Sequence, residues 1–326
     1  MRIGYLGAGN ISSQMAATVA QMDEAENYAV AARDYERAAS LADQWGFERA
    51  YGSYDELLAD PAVDLVYVAL PHSHHREWTI KALEAGHHVL CEKAFAVNEA
   101  QAREMIDVAR TKGLLLAEAI WTRYMPSRTI IDDIVRSGSI GKVLTVDANL
   151  GYKVDMNERM IRPELAGGAL LDLTVYPLNF ASMVMGDDIA RIDARMVPIH
   201  SGVDGQDSVT ITYADGRMAT MFTTMHTMTD RRGLICGTDG FICVENINNP
   251  QRIQVFDADG LTCSLRETID VPAQISGYEY EVLACKRATE EGRIECPEMP
   301  HAETLEIMRQ MDAIRAQFGI VYPFER

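Results

Sequence analysis

What this 326-residue chain has least of is positive charge: 30 lysines and arginines stand against 48 aspartates and glutamates, for a net charge of -18 at pH 7. Nucleic acid and anionic membrane surfaces both need a positive footprint, so neither is expected as a partner. The basic residues are scattered along the chain and form no block. No run reaches the roughly 18 consecutive apolar residues of a membrane helix. The six cysteines, at 91, 236, 243, 263, 285 and 296, show no CxxC or other ligand spacing, so no metal is expected. A strand is under way by Ile3, which leaves no room for a signal peptide, and the cytoplasm is the expected compartment. A composition 48% apolar and 24% charged, at this length, suits two globular domains.

What is present first is alternation. After a buried-strand pattern from Arg2, strands are expected over 28–32, 63–70, 89–93 and 114–118, with helices over 12–21, 39–45, 54–58, 77–85 and 98–111. Buried strands alternating with helices predict a doubly wound parallel sheet. The first strand runs into Gly7-x-Gly9-x-x-Ser12. Gly7 allows a tight turn, Gly9 lets backbone approach a pyrophosphate at the next helix N-terminus, and Ser12 is small enough for close packing. The second strand ends in Arg33-Asp34. An acid at that strand end binds ribose hydroxyls and an arginine favours a 2′-phosphate, so Arg33 points to NADP, with NAD as the alternative. The run Pro71-His72-Ser73-His74-His75 matches no common metal spacing and is expected in the loop after the fourth strand.

The run Val89-Leu90-Cys91-Glu92-Lys93 ends a strand in a charged pair. Ligands of open parallel sheets bind beyond the carboxyl ends of strands, where Lys93 would hold an ammonium over them. The bland reading is a lysine that merely ends a strand. Beyond Glu118 strands follow one another: 143–150, 189–199, 207–213, 218–227, 232–236, 241–246, 252–256 and 261–265. Turns at Ala214-Asp215-Gly216, Thr238-Asp239-Gly240 and Ala258-Asp259-Gly260 make hairpins of them, predicting an antiparallel sheet. Residues 218–228 show no clean polar face, so both sides should be covered, one by helices and one by a second subunit. Helices are expected over 278–291 and 302–318. In Ala166-Gly167-Gly168-Ala169-Leu170-Leu171-Asp172 through Tyr176-Pro177, Asp172 and Tyr176 fall on one helical face. Gly167 and Gly168 would admit a ligand, and Pro177 would weaken or kink the helix. The alternative is a boundary tyrosine beside a surface aspartate.

Together these segments, with Glu118-x-x-Trp121-Thr122-Arg123 and Met299–Thr304, resemble the Gfo/Idh/MocA family of nicotinamide-dependent oxidoreductases. The likeness is nearest to its dihydrodiol dehydrogenase and NADP-linked D-xylose dehydrogenase branch, and it runs nearly end to end. It implies a Rossmann domain over 1–120 that binds NADP, then an α+β domain over 121–326 that binds substrate and dimerises through its large, mainly antiparallel open sheet. It implies cofactor contacts from Gly7, Gly9, Asn10, Ile11, Arg33, Leu70, His72, His75, Glu92 and Lys93. Substrate would meet Trp121, Arg123, Asp172 and Tyr176, with Lys93, Tyr176 and Asp172 catalytic. A hydride would pass between the nicotinamide and a carbinol carbon of a trans-dihydrodiol or an aldopyranose. Tyr176 would be the general acid/base, Lys93 would lower its pKa and polarise the substrate oxygen, and Asp172 would orient the substrate or Lys93. The family has proline where this chain has Ala94, and many members have histidine where it has Tyr176. A cofactor-sensing regulatory protein and a nicotinamide-dependent glycosidase stand as rival functions on the same fold.

Overall fold

Five short apolar segments and one three-residue strand build the first sheet. In chain order the elements are β1 (Arg2–Leu6), α1 (Asn10–Val19), β2 (Glu26–Ala31), α2 (Tyr35–Trp45), β3 (Arg49–Tyr51), α3 (Tyr54–Leu58), β4 (Leu65–Val68), α4 (His72–Glu84), β5 (His88–Glu92), α5 (Glu99–Lys112) and β6 (Leu116–Ala119). The computed structural model describes residues 1–325. All six strands pair in parallel, in the order β3-β2-β1-β4-β5-β6. The order reverses between β1 and β4, which opens a crevice beyond their carboxyl ends. β4 is buried at every position, as a strand covered by helices on both faces must be. β3 escapes a reading by periodicity because three residues carry no period.

The second sheet has eight strands. Its elements are α6 (Pro126–Arg136), β7 (Val143–Gly151), α7 (Glu158–Ile161), α8 (Val175–Met185), β8 (Ile189–Pro198), β9 (Asp204–Tyr213), β10 (Met218–Thr224), β11 (Gly233–Gly237), β12 (Gly240–Val244), β13 (Arg252–Asp259) and β14 (Thr262–Asp270), followed by α9 (Glu279–Glu290) and α10 (His301–Phe318). The order is β14-β13-β12-β11-β7-β10-β9-β8, antiparallel except between β7 and β10. The three expected turns join β9 to β10, β11 to β12 and β13 to β14. One face buries Val146, Ala148, Ala219, Met221, Ile235, Ile242 and Val255, with α8 packed on β7. The other face lies open in this chain, with Met218 and Phe222 each 42% exposed.

Contacts cluster into two units: Met1–Tyr124 with Gln274–Met308, and Met125–Ala273 with Arg309–Arg326. This differs from a single boundary at residue 120. The segment 274–308 folds with the first unit because it covers the free edge of β6: the Leu116 amide donates to Ile294 O at 3.0 Å, and the Thr304 hydroxyl donates to the Glu118 carboxylate at 2.9 Å.

Three further expectations are corrected. The histidine run is not a loop but the first turn of α4, since Pro71 with φ -60° leads directly into a helix. α6 was not foreseen, although Pro126 in its first turn and Ile130, Ile131 and Ile134 at helical spacing announce it. The helical run Pro163–Met185 is long and apolar enough to cross a membrane, contrary to the sequence reading, but 78% of its apolar window is buried inside the fold as core.

Candidate active site

In the first unit the turn after β1 forms a phosphate-type cradle. Gly7 has φ +108°, and a Cβ there would meet Ala69 O at 2.6 Å, so only glycine fits. Gly9 stands at the N-cap of α1, with open space around its Cα, and the first turn of α1 carries no acidic residue. Its amides are therefore available to an anion, favoured by the helix dipole. Ser12, fully buried, donates its hydroxyl to Gly7 O at 2.7 Å and closes the turn from within. Leu70 packs beside Gly7, while Asn10 is exposed and Ile11 half-buried at the mouth.

A cavity of about 390 Å³ beside this turn is lined by Gly9, Asn10, Ser13, Glu36, Arg37 and Ser40 among others. Asp34, next to Arg33, caps α2: its carboxylate accepts the Glu36 amide at 3.1 Å and so serves its own helix. Arg33 is exposed and hydrogen-bonds Tyr54, whose hydroxyl pKa burial nonetheless raises. Arg37, which the sequence reading passed over, donates to Ala8 O at 3.0 Å and reaches the same cavity. Its place in the first turn of α2, just after the strand end that carries Arg33, was the available signal. Arg37 brings a guanidinium to this cavity beside the Glu36 carboxylate, and a guanidinium there suits a phosphate better than a bare ribose. These residues fit an NADP nucleotide.

Lys93 is half-buried just past the end of β5, and its amide donates to Glu92 at 3.2 Å. The Lys93–Ala94 peptide is cis. Glu92 is 7% exposed and accepts the Tyr67 hydroxyl, whose pKa is pushed up by burial and then by the Glu92 charge. The Glu92 carboxylate is thus turned inward, under the lysine. His75 is fully buried, with its two ring nitrogens at 2.7 Å from Leu70 O and 2.9 Å from Ala94 O. It ties the loop after β4 to the turn that carries Lys93. His72 is 2% exposed and packs edge-on against His75. Both histidines support the cradle from beneath. No group of three or more ligating side chains that could hold a metal occurs among the described residues.

Trp121 stacks on Tyr278 with ring centroids 4.5 Å apart, which fixes the indole plane. Arg123 is 2% exposed and ion-paired with Glu303 at 2.6 Å, a structural task in place of the substrate contact expected of it. Its partner lies so far along the chain that no local pattern announces the pair.

In the second unit Asp172 and Tyr176 are 9% and 8% exposed. The turn Leu170–Thr174 is π-helical, with the Val175 amide reaching back to Leu170 O, and it runs straight into α8. Pro177 has no amide to return to Leu173 O and crowds that carbonyl, so the helix widens upstream and then continues, where the sequence suggested a weakened or kinked helix. Asp172 pairs with Arg159 at 2.9 Å, a residue of the unforeseen α7. The two glycines are approached by the fold itself: a Cβ on Gly167 would meet Met160 O at 2.5 Å, and one on Gly168 would meet Asp204 Oδ1 at 2.2 Å.

Comparison with known proteins agrees with this arrangement. Residues 1–119 match the oxidoreductase family with an NAD-binding Rossmann fold, and residues 130–243 match the GFO/IDH/MocA C-terminal domain. The chain is 32% identical to a trans-1,2-dihydrobenzene-1,2-diol dehydrogenase of Xenopus laevis, over 98% of each chain. It is 34% identical to a D-xylose 1-dehydrogenase (NADP(+)) of Hypocrea jecorina, over 84% of this chain and 78% of that one. A 3-ketoreductase from Actinomadura kijaniata, solved with NADP and TDP-benzene, superposes with a TM-score of 0.88 at 26% identity over 97% of each chain. The chain belongs to the Gfo/Idh/MocA family of oxidoreductases.

Proposed function

We propose that this protein is an NADP-dependent dehydrogenase that moves a hydride between the nicotinamide and a carbinol carbon of a cyclic diol or aldopyranose, such as a trans-dihydrodiol or D-xylose. The observation that carries the reading is the Gly7–Gly9 cradle with Arg37 beside it. When bound, the cofactor supplies a hydride acceptor or donor. The rest falls to the chain's own residues. Tyr176 takes the proton of the reacting hydroxyl, Lys93 polarises that oxygen, and Asp172 orients the substrate. Trp121 offers an apolar ring face. The unit Met1–Tyr124 with Gln274–Met308 serves the cofactor, and the unit that begins at Met125 serves substrate and a homodimer formed through the open sheet face. A reducing compartment such as the cytoplasm suits six cysteines held as free thiols.

The test is absorbance at the NADPH band, with purified protein, NADP⁺ or NAD⁺, and a panel of pyranoses and cyclic trans-diols. Growth with NADP⁺ and one substrate class, and little with NAD⁺, is the expected result. A preference for NAD⁺ overturns the role given to Arg33 and Arg37. Tight NADP⁺ binding without turnover of any panel member overturns the enzyme reading.

A further inference from the structure

The turn that carries Asp172 and leads into Tyr176 is held from below by two acids of β9. Asp204 and Asp207 are 0% and 1% exposed. Three positions apart on a strand they would face opposite ways. The pairing of β8 with β9 shifts register between Val197 and Pro198, opposite Asp204–Gln206, and this irregularity brings both carboxyls to one face. Gly205 occupies it with no room for a side chain, since a Cβ would meet Ile199 at 2.6 Å and His226 at 2.7 Å.

Asp204 Oδ2 accepts the Leu170 amide, at the very start of the π turn. Asp207 Oδ2 accepts the Thr174 hydroxyl at 2.7 Å, at its end, and Thr174 also meets Thr223 of β10 at 2.6 Å. The two Oδ1 atoms have no donor among the described residues, and neither carboxyl reaches water. Two neighbouring carboxyls out of water and short of donors cannot both stay ionised, so one of them carries a proton. The remaining groups around the pair leave this requirement in place. Tyr322 donates to Gly167 O at 3.3 Å, and Arg315 is engaged with Glu325 and Asp312.

We propose that Asp204 and Asp207 are positioning residues: sharing one proton, they clamp the first and last residues of the π turn and so set where Asp172 and Tyr176 point. This rests on the functional reading of those two residues given above. Burial raises both acids, Asp204 to about 6 and Asp207 well above the ordinary carboxyl range, the latter also through the charge of Asp204. A carboxyl raised in the folded state stabilises fully below its ordinary pKa, and that contribution fades as pH rises through the raised value. The clamp therefore loosens toward alkaline pH.

Two readouts test this. The thermal midpoint of the wild type should fall from about pH 6 to about pH 9, and Asp207→Asn should flatten that fall, because an amide supplies the shared hydrogen without titrating. An unchanged slope in Asp207→Asn overturns the shared proton. Turnover of Asp207→Leu, or of Thr174→Val should the former not fold, should drop about 10²-fold, the scale set by small misplacements, with the KM for NADP⁺ unchanged and with recovery in Asp207→Asn. Tyr176→Phe is measured beside them. If Tyr176→Phe loses turnover while folded Thr174→Val and Asp207→Leu keep it, the clamp does not position the site. If Tyr176→Phe keeps its turnover, the functional reading beneath the proposal has failed instead.

Discussion

A guanidinium discriminates a phosphate from a hydroxyl by charge and by its fork of donors, which is the role proposed for Arg33 and Arg37 toward NADP. Each is exposed, so water competes for the contact and the gain is modest. Arg33→Ala and Arg37→Ala should each raise the KM for NADP⁺ about tenfold, roughly one charge-assisted hydrogen bond, and leave that for NAD⁺ within about twofold. Equal losses with both cofactors would remove the arginines from specificity. Lys93 is argued from the opposite property, a compact charge on a flexible stem that a reacting oxygen can draw in. Lys93→Met should lower turnover by about 10²-fold while a fluorescence titration shows NADP⁺ still bound. Near-native turnover in that variant takes Lys93 out of the chemistry.

At the scale of elements, α9 drives a carboxyl where no partner meets it. Glu281 is fully buried, and neither oxygen has a hydrogen-bond partner among the described residues. Burial first, then interaction with Glu92 and Cys296, holds its pKa well above the ordinary range. A pKa raised by folding means stability present below about pH 4.3 and lost as pH climbs toward the raised value, with a limiting slope of about 1.4 kcal/mol per pH unit. Glu281→Gln has no such slope. Its thermal midpoint should exceed that of the wild type by a margin that widens from about pH 6 to about pH 9. A margin that stays constant means the carboxyl does not titrate in this window. The same element shows why part of the molecule could be read from sequence and part could not. The Gly7–Ser12 turn is local chemistry, legible because its glycine and its small residue act within one turn. So were most strands, whose apolar runs are long enough to carry a period. The burial of Arg123 against Glu303 and the π turn held by Asp204 and Asp207 depend on partners far along the chain, which no window of sequence contains. α6 is legible in Pro126 and in isoleucines at helical spacing.

At the scale of the whole molecule, the eight-stranded sheet leaves one face uncovered in the single chain. The strand registers line up Met218, Thr220 and Phe222 of β10 with Thr145, Asp147 and Asn149 of β7, then with Leu234 and Cys236 of β11 and with Cys243 and Phe241 of β12. Phe241 and Phe256 stack across β12 and β13 at 4.6 Å, and Asp147 is tied down by the Thr220 hydroxyl at 2.7 Å. A solvated face alternates apolar and charged residues, whereas this row is aromatic, aliphatic, thiol and hydroxyl with its aspartate already hydrogen-bonded. Contiguous apolar surface beyond a few hundred Å² marks an interface, and a flat face of one sheet is self-complementary under a two-fold axis. The wild type should therefore sediment at twice the chain mass of 36.2 kDa. Phe222→Asp places a carboxylate near the middle of the face and sets like charges against each other across it, a cost of several kcal/mol at an interface. That variant should sediment as a single chain with an unchanged circular dichroism spectrum, since Phe222 is 42% exposed in the chain and its replacement opens no cavity. A wild type already at single-chain mass at micromolar concentration would sink the dimer, and a Phe222→Asp that stays dimeric would move the interface to another surface.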